Sequence, residues 1–182
     1  MVRVFLLSSD VLVTLGGTHR RFRGLAGGTN DEGGEHQGNQ RGSGARLGRS
    51  GMKVAVDTNV LVRAVVRDDV PQAEVATRIL MDATLIAVAL PCLCEFVWVL
   101  RRVYGFQPTD VAAAIRTLLA AANVEANRPA AEAGLAVLEA GGDFADGVIA
   151  YEGRWLGGET FVSFDKKAVA LLAAQGQPTL LL

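Results

Sequence analysis

The chain has 182 residues, half of them hydrophobic and a fifth charged, with a formal net charge of −1. This is the composition of a soluble globular domain with room for an appendage, and the balance excludes a global cationic field that would recruit nucleic acid. Two cysteines, Cys92 and Cys94, lie two apart in an apolar segment; they make neither a disulfide framework nor a four-ligand zinc site, and a reducing cytoplasm is expected.

Charge divides the chain. Residues 1–51 hold seven Arg, four acids, both His and twelve Gly, whereas residues 52–182 carry eleven Lys plus Arg against fifteen acids. From Gly16 to Gly51 apolar periodicity is almost absent, so the segment cannot bury enough surface to offset its ordering entropy, and residues 1–51 are expected to be a disordered extension. The opening "MVRVFLLSSDVLVTLGG" has a short apolar patch without a clear h-region and cleavage site, which argues against a secretory signal. Met52 opens a well-patterned sequence at once. A mis-assigned start is therefore expected, with the domain running from Met52 to Leu182; the alternative is a basic tail that touches RNA.

From Met52 the elements alternate. "KVAV" (53–56) reads as a short strand ending in Asp57, followed by an apolar helix through Val66. "VPQAEVATRILMDA" (70–83) has helical periodicity with Pro71 near its start, where a missing N–H is harmless. "TLIAVAL" (84–90) is a strand-length apolar run, and a helix starts near Pro91. The stretch 83–100 is barely long enough to span a membrane and is interrupted by Pro91 and Glu95, so a buried strand followed by a buried helix is the better reading. Helices follow over 108–123 and 128–142, the second closed by a Gly pair suited to a C-terminal cap. Then come a helix from Phe144 to about Leu156, a strand "TFVSF" (160–164) ending in Asp165, a helix over 166–176 and a last apolar run, "TLLL". Such alternation with near-continuous apolar strands predicts an α/β fold around a mainly parallel sheet covered on both faces. Ligands bind outside the carboxyl ends of strands in such sheets.

Four acids stand at that edge. Asp57 and Asp165 directly follow predicted strands, Glu95 lies one helical turn past another, and Asp146 is three residues into a helix after a Gly-rich turn. Glu95 is the only charged residue between Ala83 and Leu100. Burial without a partner is costly, and Arg101 and Arg102 do not sit at the i+3 or i+4 spacing that would place them alongside. Asp57 could equally be a helix N-cap, Asp143 and Asp146 are spaced like a capping pair with Asp143 as the cap, and Asp165 could be a surface residue. Two carboxylates about 5 Å apart repel by about 3 kcal/mol at an effective dielectric near 20, so a cluster needs a cation. All-oxygen ligands point to Mg²⁺ or Mn²⁺. No histidine follows Met52, which removes Ser-His-Asp, Cys-His and histidine-dependent ribonuclease chemistry from the patterned region. Neither GxxxxGK[ST] nor GxGxxG occurs there.

"VAVDTNVLV", "PCLCEFVWVL", "DFADGVIA" and "FVSFDKKA", in this order, resemble the four acidic motifs of PIN domains, and in particular the VapC-type ribonuclease toxins of type II toxin–antitoxin pairs. The resemblance covers Met52 to Leu182. It implies a three-layer α/β/α fold, with Asp57, Glu95, Asp146 and Asp165 as metal-binding catalytic acids and Asn59 and Ser163 as neighbours that orient water or ligands. It further implies Mg²⁺- or Mn²⁺-dependent hydrolysis of RNA, a homodimer and a small cognate antitoxin. Arg63, Arg67, Arg101, Arg102, Lys166 and Lys167 are the candidate RNA-binding cations. Gly147 stands where the family commonly has alanine, at a cost of roughly 1 kcal/mol in helix propensity. A haloacid-dehalogenase-like phosphatase would need a second Asp where Asn59 stands, and a non-catalytic PIN-like scaffold would be expected to have lost acids.

Overall fold

The computed structural model describes residues 2–5, 12–15 and 51–182. The expected disorder of residues 1–51 falls for the most part outside the described residues. Within that segment β1 (Val2–Phe5) and β2 (Leu12–Leu15) pair antiparallel, Val2 opposite Leu15.

From Lys53 the order is β3 (Lys53–Ala55), α1 (Thr58–Val66), α2 (Val70–Asp82), β4 (Leu85–Ala87), α3 (Leu90–Arg102), α4 (Pro108–Ala120), β5 (Val124–Glu125), α5 (Arg128–Glu139), α6 (Phe144–Trp155), β6 (Phe161–Ser163), α7 (Lys166–Ala174) and β7 (Thr179–Leu181). The fold is α/β, and the strands in this part of the chain pair in parallel, as expected. They form two ladders: β4 lies between β3 and β5, and β6 pairs with β7. Two-residue β5 was not anticipated. It exists because Val88 N–H donates to the Glu125 carbonyl at 2.9 Å, just past the end of β4.

The helices begin and end where local chemistry dictates. Pro71, Pro91, Pro108 and Pro129 each occupy the first turn of a helix, where no N–H is lost to the ladder. The Gly pair after α5 closes it as expected: Gly141 has a φ of 90°, a conformation open to glycine without a Cβ penalty, and Gly142 N–H reaches the Val137 carbonyl at 2.8 Å. Each amphipathic helix turns its apolar stripe inward. Ile86 on β4, Leu61, Leu93, Phe96, Leu100, Ile115, Leu135 and Phe144 join in one core from which solvent is all but excluded. A smaller cluster of Val137, Ala150 and Leu172, with Phe161 packed against it, fastens the β6–α7–β7 unit to α5 and α6. Among the described residues no helix is long and apolar enough to cross a membrane.

Candidate active site

The parallel ladders set the geometry. β3 ends in a hydrogen bond from Val56 N–H to the Ala87 carbonyl, and the next residue, Asp57, turns the chain into α1. One carboxylate oxygen of Asp57 accepts from Thr58 N–H at 2.8 Å, and the other accepts from the Asn59 amide at 3.1 Å. Asp57 is therefore the N-cap of α1, and it is also exposed. Capping uses one oxygen and leaves the other, held by Asn59, facing outward.

Glu95 corrects an expectation. It is exposed, not buried, because α3 turns Cys92, Leu93, Phe96, Val97 and Leu100 into the core and leaves Glu95 on the opposite side. Its partner comes from 37 residues away: the Thr58 hydroxyl donates to Glu95 Oε2 at 2.7 Å, the length of a charge-assisted bond. The Cys92 carbonyl, 3.5 Å from the same hydroxyl, is too distant to compete for its single proton. Thr58 thus ties the acid after β3 to the acid after β4. Asp57 and Glu95 also share a neighbour in Cys92, whose thiol is pushed up by burial first and further by these two negative charges.

Asp146 and Asp165 meet in a cleft that α3 also lines. Asp143 caps α6 through Ala145 N–H at 2.9 Å, as its spacing suggested, and Asp146 lies within the first turn, half-buried. Burial, then the charges of Asp143 and Asp165, hold the Asp146 carboxyl above its ordinary range. Asp165 caps α7, accepting from Lys167 and Ala168 N–H, while its own N–H donates to the Ser163 hydroxyl at 3.0 Å. Asp143, Asp146 and Asp165 line a cleft of about 300 Å³ together with Trp98 of α3. Trp98 is three residues beyond Glu95 and so on the same side of the helix; α3 is the element that joins the two halves.

The four sequence-selected acids are placed as two pairs, Asp57 with Glu95 and Asp146 with Asp165. Among the described residues no group of three or more His, Cys, Asp and Glu side chains stands close enough to hold a metal ion. The donor set still suits a hard divalent cation. It is made of carboxylates, and the like-charge pressure on Asp146 is what a cation relieves. Mg²⁺ needs only one or two carboxylates directly and keeps several waters.

The cations divide as well. Arg101, Arg102 and Lys167 line the cleft. Arg63 is instead bound to Asp68 and Gln72, an ion pair spanning the α1–α2 turn, with Asp68 also accepting from the Tyr104 hydroxyl at 2.7 Å. Arg67 adopts the left-handed conformation that ends α1 and borders a separate depression beside α2. Lys166 is exposed at the start of α7 and is not part of the cleft wall.

Thr58 was missed by sequence reasoning, although a signal existed. With Leu61, Val62 and Val65 it forms the i, i+3, i+4, i+7 stripe that α1 buries, and a hydroxyl on such a stripe needs a partner inside the protein. Replacement by Val should cost about 1 kcal/mol, the net value of a typical hydrogen bond, because the hydroxyl leaves with the bond and Glu95 remains solvated. Losing the group that orients an acid should weaken divalent-ion binding about tenfold. Thermal unfolding and metal titration of Thr58→Val beside Thr58→Ser test this; equal metal affinity in Val and Ser variants would show that the bond orients nothing.

The acids that follow β3 and β6 are each the N-cap of the next helix, Glu95 is held by a buried hydroxyl, and Asp146 is raised by burial and by the like charges beside it. The PIN domain family model matches residues 54–171, well over half of the sequence and inclusive of all four acids, and the chain belongs to the PIN domain family. PIN domains are generally metal-dependent nucleases that use divalent ions such as Mg²⁺ or Mn²⁺. A search of curated proteins found no match.

Proposed function

We propose that this PIN domain is a Mg²⁺- or Mn²⁺-dependent endoribonuclease, the VapC-type toxin of a toxin–antitoxin pair that acts on cytoplasmic RNA as a homodimer and is held in check by a small cognate antitoxin. The observation that carries the reading is the Thr58 bridge, which fixes Glu95 beside Asp57 at the sheet edge although 37 residues separate Thr58 from Glu95.

Asp57, Glu95, Asp146 and Asp165 would hold the metal. Once bound, the ion supplies Lewis-acid polarisation of the scissile phosphate and activation of the attacking water. The chain's own contributions are positional. Asn59 holds the outward oxygen of Asp57, Thr58 holds one oxygen of Glu95, and Ser163 fixes the backbone of Asp165. Without a cation these carboxylates repel a phosphodiester, so substrate binding and metal binding are coupled. A non-catalytic scaffold has no use for the full set of acids.

The test is incubation of the full chain with total RNA in Mg²⁺ or Mn²⁺, with and without EDTA. Cleavage is expected only with the free divalent ion and should return when the metal is restored in excess. Cleavage that persists in EDTA overturns the mechanism. Expression should arrest growth, and co-expression of a neighbouring small gene product should relieve it; absence of arrest by an RNA-cleaving protein overturns the toxin role alone.

A further inference from the structure

We propose that Trp98 is a stacking platform which makes the cleft beside Asp146 and Asp165 a subsite for an unpaired base of single-stranded RNA, an inference that rests on the nuclease reading. Single exposed apolar residues are ordinary, so exposure of Trp98 at 55% means little by itself. Its surroundings decide. Trp98 shares the wall of a cleft of about 300 Å³ with Arg101, Arg102, Lys167, Asp146 and Asp165. That volume lies at the lower limit of small-ligand sites, which run from about 300 to 1,000 Å³, and suits one nucleotide.

The cations are available for phosphate. Among the described residues neither Arg102 nor Lys167 is in an ion pair, although three aspartates line the same cleft. Arg101 is partly occupied by the Phe106 carbonyl at 3.4 Å. Lys167 extends over the Gly141 turn, its ammonium 3.7 Å from where a Cβ on that glycine would lie, at the border of the cleft. Arg102 and Lys167 offer a phosphate two cations on the wall that they share with the indole. Arg101 and Arg102 follow Trp98 at i+3 and i+4, so aromatic and cationic groups share one helical side.

The partner chemistry follows from access. A paired base in an A-form helix is covered by its neighbours on both faces, and its major groove does not admit side chains; an aromatic platform takes bases from single strands, bulges and loops. Stacking on an aromatic side chain is sequence-tolerant. Trp98 is then a positioning residue that selects single-stranded RNA over duplex without naming a base, and sets the register of the chain against the acids of α3 and α6.

The test uses the full chain carrying Asp57→Asn, to prevent turnover, and Trp155→Phe, to leave Trp98 as the one fluorophore of its kind. It is titrated in Mg²⁺ with a mixed-sequence octaribonucleotide and with the duplex of the same sequence. Saturable quenching by the single strand and little by the duplex are expected; with affinity read from the anisotropy of the same octaribonucleotide carrying a 5′ fluorescein, a loss of about tenfold in Trp98→Ala and recovery in Trp98→Phe are expected. Equal quenching by duplex, or unchanged affinity in Trp98→Ala, overturns the proposal. With Asp57 intact, Trp98→Ala should raise KM and leave kcat nearly unchanged; an unchanged KM also overturns it. RNA that binds and quenches but is never cleaved by the Asp57-intact protein refutes the nuclease reading and leaves the stacking site standing.

Discussion

Asp57→Asn is expected to fold as stably as the parent while cleaving RNA at a rate lower by more than the roughly 10–100-fold that loss of an outer-shell partner costs a metal site. The contrast arises because Asp57 has two separable jobs. One oxygen caps α1 through Thr58 N–H, and the other is presented by Asn59. Asn is as good a cap as Asp, so the amide oxygen can keep the bond to Thr58 N–H. It removes the negative charge that attracts a hard cation. Asp57→Ala removes both and should additionally lose about 0.5–2 kcal/mol of stability. Thermal unfolding beside RNA cleavage in Mn²⁺ distinguishes the roles. If the Asn variant cleaves at the parental rate, Asp57 is only a cap, and the Thr58 bridge then orients Glu95 toward nothing.

The architecture could be read from local pattern because its elements obey local rules. The 3.6-residue stripes of α1 and α4, the prolines in first turns and the Gly141–Gly142 closure all reappear where the sequence placed them. What escaped was nonlocal. A two-residue strand such as β5 is too short to show a period and is defined only by its pairing with β4. The division into two ladders depends on which strand ends meet. Glu95 was judged by its apolar neighbours in sequence, but α3 separates residues 92, 93, 96, 97 and 100 from residue 95, and exposure follows helical angle, not local composition. Likewise Arg63 could not be told from a substrate-binding cation until Asp68 was placed beside it. The acids were recognisable as strand-end residues, whereas Thr58 required asking what a hydroxyl does on a buried stripe.

Gly147→Ala shows how a nonlocal contact reverses a local rule. Helix propensity alone says that alanine should stabilise α6 by roughly 1 kcal/mol, and the resemblance to proteins with alanine there points the same way. The packing says otherwise. A Cβ on Gly147 would lie 2.3 Å from the Ala133 carbonyl oxygen and 2.8 Å from Gly134 Cα, both backbone atoms of α5 that no rotamer change can move. On the facing helix, a Cβ on Gly134 would meet the Phe144 ring at 2.7 Å, so the two helices approach through a pair of glycines. Overpacking costs about 1–3 kcal/mol, and backbone on the receiving side favours the upper end. We expect Gly147→Ala to be destabilised by about 3 kcal/mol, a fall in Tm on the order of 10 °C, in place of the gain that propensity alone requires. Because Asp146 is the preceding residue, forcing α6 away from α5 also moves that carboxylate relative to Asp165, and divalent-ion affinity should fall with stability. A rise in Tm would mean that α5 yields easily, and that the close approach does not set where Asp146 stands.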